Sequence, residues 1–249
     1  MRTRSWLIAF AAFWLSGPVH AELVLGVHPF KPATRLVEAF TPLTRYLSDK
    51  LGQPVTLRIS QDYAAHIEAT GNNAYDIAYL GPSPYVKVRD AYGERPLLAR
   101  QRIGDKPVFH SKIFVRADSP VKDLAGLDGK RFAFGDPKST MGHLVPRYQL
   151  WQAGIALDRL AGHRFVGDHV NIALGVLAGE FDAGAVKEDV FYQYEKRGLR
   201  AIATSAPISD HLFVASSKMP PALVGKLRDI MLTMHRDPQG REALQAVTA

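Results

Sequence analysis

Gly71-Asn72-Asn73-Ala74-Tyr75-Asp76-Ile77-Ala78-Tyr79-Leu80-Gly81-Pro82-Ser83-Pro84 reads as a helix stop, a strand and a helix start in direct succession. Gly71-Asn72-Asn73 closes a short helix around Tyr63 to Ala69, Tyr75 to Leu80 is a strand, and Gly81-Pro82-Ser83-Pro84 turns the chain into another helix. Upstream, Glu22 to Val27 is a strand, and Leu36, Phe40, Leu43 and Leu47 recur at helical spacing. Pro42 inside that pattern predicts a kink or a turn. Gly52-Gln53-Pro54 stops the helix, and Val55 to Ile59 is a second strand. Downstream the alternation restarts. Phe109 to Val115 reads as a strand leading into a helix start at Asp118-Ser119-Pro120, and Lys130 to Gly135 as another strand. Ser139 to Gln152 reads as a helix closed by Gly154, and His169 to Ala178 as one closed by Gly179. Phe181 to Val186 is a strand feeding a helix from Glu188 to Arg197; Ile208 to Ser216 returns as a strand before a closing helix over Pro220 to His235. Strands alternating with helices specify an α/β fold, its sheet mostly parallel and covered on both faces.

The opening stretch has an echo. Gly179-Glu180-Phe181-Asp182-Ala183-Gly184-Ala185 repeats the order of Gly71 to Ala78: a helix-ending glycine, a short connection, then an aspartate on a strand. Either any two βα units look this much alike, or the chain holds two related lobes. No low-complexity linker separates the halves, so strands should join them.

The 249 residues fit one large domain or two small ones. With 47% hydrophobic and 22% charged residues, the composition is that of a globular protein. Cysteine is absent, which excludes disulfides, Cys-ligated zinc, iron–sulfur clusters, thiol nucleophiles and a lipoprotein anchor. Arg2 and Arg4, the apolar run Trp6 to Leu15, the break at Gly17-Pro18 and the small residues around Val19-His20-Ala21 form an export leader, cleaved after Ala21. The run is too short to span a bilayer, which takes about 20 apolar residues. Cleavage leaves 29 basic residues against 24 acidic, a net +5 that suits an anionic partner. The basic residues of the first half, Lys31, Arg35 and Arg95 to Lys112 among them, lack aromatic interleaving, so no nucleic acid is expected.

Phe134-Gly135-Asp136-Pro137-Lys138-Ser139-Thr140-Met141-Gly142-His143 carries the most chemistry. A strand ends, the chain turns, and Ser139 or Thr140 caps the next helix. A helix N-terminus presents unpaired N–H groups and about half a positive charge, which favours an anion. The same residues also fit a plain helix cap. No Walker A loop and no Gly-x-Gly-x-x-Gly is present, so no nucleotide cofactor is expected. There is no His-Glu-x-x-His, so no metal is expected either. His169, after Gly167-Asp168, stands at another helix start and suits an oxyanion donor or a base. Ser139, His169 and Asp189 would make a hydrolase triad, but the Gly-x-Ser-x-Gly elbow is missing.

These segments resemble the periplasmic substrate-binding proteins of phosphonate, phosphite and phosphate ABC transporters. Five stretches carry the likeness: Gln61-Asp62-Tyr63-Ala64-Ala65; Tyr75 to Pro82; Phe109-His110-Ser111 leading to Asp118-Ser119-Pro120; Gly135 to Pro146, against a family pattern of Gly-Asp-Pro-x-Ser-Thr-Ser-Gly-x-x-x-Pro; and His169 with its helix. The resemblance implies a type II periplasmic-binding-protein fold, two α/β lobes joined by two crossing strands. Residues 22–115 with 207–249 would form one lobe and 116–206 the other. It further implies that Ser139, Thr140 and the Met141 amide cradle the oxyanion. His169 bonds it too, and Tyr63 reaches it from the other lobe. Asp189 and Asp210 fall where relatives that bind an aminoalkylphosphonate meet its ammonium group.

Three departures bear on the ligand, for which a phosphonate is favoured and phosphate, phosphite or another small oxyanion are the alternatives. Met141 replaces a hydroxyl residue. Phe109 stands where a ligand-contacting tyrosine is common, with His110 beside it as a substitute. His28-Pro29-Phe30-Lys31-Pro32 is not the usual sequence after the first strand, and it puts His28 near the ligand and Lys31 at the cleft rim. The expectation is a monomeric, non-enzymatic receptor, exported to the periplasm, which closes on a small anion with Tyr63 and Tyr79 or Ser83 and delivers it to a membrane permease. A sensor signalling to a membrane kinase or cyclase is the alternative, and a periplasmic hydrolase a more distant one.

Overall fold

A computed structural model describes residues 21–104 and 106–248. Almost all of the expected leader thus lies outside the described residues. In chain order the first elements are β1 (Leu23–Val27), α1 (Ala33–Leu51), β2 (Val55–Ile59), α2 (Tyr63–Gly71), β3 (Ile77–Leu80), α3 (Pro82–Tyr92) and β4 (Leu97–Arg100). Two short strands, β5 (Val108–Phe109) and the later β11 (Ile208–Ser209), pair antiparallel where the chain crosses between two sheets. Between the crossings lie β6 (Ser111–Arg116), β7 (Arg131–Phe134), α4 (Val145–Gln152), β8 (Gly162–Phe165), α5 (His169–Leu177), β9 (Ala183–Lys187), α6 (Glu188–Glu195) and β10 (Leu199–Thr204). After the return come β12 (Leu212–Ala215), α7 (Pro221–Thr233) and α8 (Pro238–Thr248).

Each sheet has five strands, ordered β2-β1-β3-β12-β4 in the first and β10-β6-β9-β7-β8 in the second. In each, three parallel strands run beside one antiparallel strand, β12 or β6, with an outer strand beyond it. The two orders are the same topology read from opposite edges, with β1, β2, β3 matching β7, β8, β9. The echo falls on equivalent strands, β3 and β9. The Asp76 carboxylate accepts from the Val24 amide at 2.8 Å and its own amide donates to the Val24 carbonyl at 3.0 Å. Asp182 makes the same two bonds with Arg131, at 2.8 and 3.0 Å. In each sheet the aspartate clasps the third parallel strand to the first.

Burial explains which elements form. Leu36, Phe40, Leu43 and Leu47 all lie buried under α1, and β3 and β9 are buried along their whole length, as central strands covered on both faces must be. The helix runs unbroken through Pro42; the hydroxyls of Thr41, Thr44 and Ser48 bond the carbonyls of Val37, Thr41 and Thr44 around it. Asp118-Ser119-Pro120 opens no α-helix. The chain turns there, and a single 3-10 turn follows at Ala125–Leu127. The register pairs Ser111–Arg116 with β9 and β10, so the crossing into the second sheet precedes residue 111, ahead of the expected boundary at 115.

Candidate functional site

The carboxyl ends of the parallel strands in the two sheets face one another, the place where open α/β sheets bind ligands. A cavity of about 20 Å3 lies there. One water needs roughly 10–15 Å3 on this scale, so the free space left between the lobes is small. His28, Phe30, Tyr63 and Gly81 wall it from the first lobe, and Ser139, Thr140, Met141, His169 and Lys187 from the second. Phe109 and His211 come from the crossing segments.

Five of those residues open helices. Tyr63 and His169 are the first residues of α2 and α5, Gly81 and Lys187 are the N-caps of α3 and α6, and Ser139 caps the π-helical turn Thr140–Leu144 that continues into α4. Each helix end contributes partial positive charge and amide donors, so their convergence on one point makes the cavity attractive to an anion.

Ser139 Oγ accepts from the Gly142 amide at 3.0 Å and lies 3.3 Å from His169 Nε2. A methyl group at Gly142 would lie 3.0 Å from that oxygen and 3.3 Å from the imidazole, so a side chain there would press on both. His169 Nδ1 accepts from the Lys187 amide at 3.0 Å. The neutral ring therefore carries its proton on Nε2, toward Ser139 and the cavity. Burial holds the imidazole at about 4, so it is uncharged near neutral pH. With Nδ1 on an amide and Nε2 protonated, His169 has neither an orienting carboxylate nor a lone pair for the Ser139 hydroxyl. Asp189 bonds elsewhere, and the geometry is not that of a hydrolase triad.

Several contacts bridge the lobes. The Ser83 amide donates to Thr140 Oγ1 at 2.9 Å and the His169 amide to the Phe30 carbonyl at 3.2 Å. The Tyr63 hydroxyl shares a hydrogen bond with Ser139, its amide bonds the Asp136 carboxylate, and burial raises the phenol. Lys31 Nζ stands 3.5 Å from Asp189 Oδ2. The cleft is closed.

Behind the cavity wall, Lys187 Nζ lies 3.9 Å from Asp189 and 4.0 Å from Asp210, and 5.2 Å from the centre of the Phe109 ring. Asp210 Oδ1 also accepts from the His211 amide at 2.7 Å and faces His211 Nδ1 at 2.9 Å. Burial alone would raise both carboxyls, but Lys187 with Lys31 around Asp189, and His211 with Lys187 around Asp210, hold them below the usual range. Neither aspartate lines the cavity; both stand behind Lys187. Tyr79 is also withdrawn: its hydroxyl bonds Gln101, and its ring stacks on His211 at 4.9 Å. His110 turns away to donate to the Ser205 carbonyl at 2.8 Å. Ser83 reaches the site through its backbone alone, in the bond to Thr140.

A sequence profile of the phosphonate ABC-transporter periplasmic substrate-binding proteins matches residues 25–249. The chain belongs to that family. It is 26% identical to the phosphate-import protein PhnD of Mycolicibacterium smegmatis over 83% of this chain and 70% of that one. It is 30% identical to the phosphonates-binding periplasmic protein of Escherichia coli, over 57% of this chain but less than half, 45%, of that protein's length. A solved structure of PhnD1 from Prochlorococcus marinus in complex with methylphosphonate superposes with a TM-score of 0.84 at 23% identity, covering 92% of this chain and 90% of that one. That likeness fixes the fold as that of type II periplasmic binding proteins.

For a phosphonate-type receptor, sequence reasoning overlooked Phe30, Gly81, Lys187 and His211. Gly81 and Lys187 were open to the argument applied to Ser139, since each follows a predicted strand and precedes a predicted helix. His211 gave no local signal; it reaches the cleft because β11 and β12 return the chain beside β3.

Proposed function

We propose that this protein is the periplasmic receptor of an ABC importer for a compact phosphorus oxyanion: a short-chain phosphonate, phosphite or phosphate. The observation that carries the reading is the closed interlobe cavity ringed by five helix N-termini. The Thr140 and Met141 amides, the Ser139 hydroxyl and His169 Nε2–H supply donors from the second lobe, and the Tyr63 hydroxyl adds one from the first. Lys31 and Lys187 balance Asp189 and Asp210, so with neutral histidines the wall is uncharged and the dipoles decide the sign of the ligand. Closure is a two-state change that the ligand drives by binding the closed form more tightly, and the closed form is what a permease would recognise. We read the receptor as exported by its leader, monomeric and without turnover, because His169 is not arranged as a base toward Ser139. Calorimetric titration of the mature, ligand-stripped chain with methylphosphonate, phosphite and phosphate tests this. Saturable one-to-one binding of one of them is expected; no heat from any at millimolar concentration would refute it.

A further inference from the structure

Resting on that reading, we propose that Lys187 acts as a built-in ammonium that sets the specificity of the cleft, occupying a buried acid pair so that the site accepts an oxyanion with no amino group of its own. Asp189 and Asp210 come from different segments, the start of α6 and the returning crossover, yet both converge on one Nζ at 3.9 and 4.0 Å. These are ion-pair separations, longer than hydrogen bonds. Each carboxylate keeps one buried oxygen without a hydrogen-bond partner, Asp189 Oδ1 and Asp210 Oδ2. Buried unpaired oxygens are rare and costly, and here each belongs to a carboxylate whose other oxygen, Asp189 Oδ2 or Asp210 Oδ1, is the one that faces the lysine. The arrangement has the capacity to hold a better-seated ammonium than the lysine provides.

The lysine is also part of the cavity wall, and its side chain is only 6% exposed. Its backbone amide fixes His169 while its Nζ neutralises the acids, so one residue joins the oxyanion cradle to the acid pair. A ligand carrying an alkylammonium group would have to bring it against Lys187 Nζ, like charge facing like charge, in a cavity of about 20 Å3. Without the lysine charge, the two carboxylates would instead repel a plain anion and pair with a zwitterion's ammonium group.

The test compares methylphosphonate with 2-aminoethylphosphonate on the mature wild-type chain, Lys187→Ala and Lys187→Met; the methionine keeps an apolar stem over Phe109. The wild type should prefer methylphosphonate by at least about tenfold, roughly one charge-assisted contact. Either variant that melts cooperatively should shift that ratio toward 2-aminoethylphosphonate by about tenfold or more. Equal wild-type affinities for the two ligands would overturn the proposal without any variant. So would a folded variant that keeps the wild-type ratio, while the receptor reading survived. If the wild type binds neither compound, nor phosphite or phosphate, the receptor reading itself fails and this proposal with it.

Discussion

On the proposed reading, Ser139 serves the oxyanion as well as its own helix. Its Oγ is held by the Gly142 amide and faces His169 Nε2, two neighbours from its own lobe that fix its position, and in the closed form it also meets the Tyr63 hydroxyl. Replacing Ser139 with Ala should weaken oxyanion binding by about 1–3 kcal/mol, the usual loss when a buried partner is left unpaired. The cap itself adds about 1 kcal/mol to the stability change. Titration calorimetry and thermal melting separate the two effects; an unchanged affinity would remove Ser139 from the cradle. His66 supports a different test. It lies buried within the first lobe, where Nε2–H donates to the Tyr79 carbonyl at 3.0 Å and Nδ1 faces the Ser60 hydroxyl at 2.9 Å. Burial lowers it to about 4 in the fold. An unfolded imidazole near 6.5 takes up its proton first, so the unfolded chain binds more protons in between. Stability should be intact above pH 6.5 and fall as the pH drops toward 4; the buried His169 acts in the same direction. A melting temperature flat across that range would contradict the burial of these rings.

Among the elements, the aspartate clasps have the clearest energetic role. Asp76 and Asp182 each accept from an amide on or beside the first parallel strand of their sheet, and each returns a bond from its own amide. Asp76→Ala and Asp182→Ala should each cost about 1–3 kcal/mol in denaturant unfolding, by leaving a strand amide unpaired. The Asp182 variant should also lose the 2.8 Å pair with Arg131. If neither substitution lowers the midpoint, the clasps are incidental. The same elements show what the sequence made legible. Strands buried on both faces, such as β1, β3 and β7, were readable as apolar runs, and Ser139, Asp168-His169 and Gly179 marked helix ends through their capping chemistry. β8 was not readable, because Gly162-His163-Arg164-Phe165 is an exposed edge strand with no apolar alternation. β10 alternates too weakly to register, and α8 is a short helix whose few buried positions are decided by its packing over α1. In the site, the capped turn at Ser139 could be read locally. The pairing of Lys187 with Asp210 could not, since it joins residues from opposite sides of a chain crossing.

For the molecule as a whole, the bonds that span the cleft have a common property: Ser83 to Thr140, His169 to Phe30, Tyr63 to Ser139 and Lys31 to Asp189 exist only while the lobes are together. Ligand should therefore shrink the radius of gyration in small-angle scattering. At about 100 times Kd it should also add roughly 2.7 kcal/mol to unfolding stability. A scattering curve unchanged at saturation would mean that the closed form is the resting one. The pairing of β5 with β11 bears on this too, because Phe109 and His211 stand on or beside that ribbon and also wall the cavity. The axle of the jaw is thus one of its teeth. On the proposed reading, any swing of the two halves drags aromatic surface across the bound oxyanion, and a substitution that stiffens or loosens the ribbon should retune retention and release without altering a single donor.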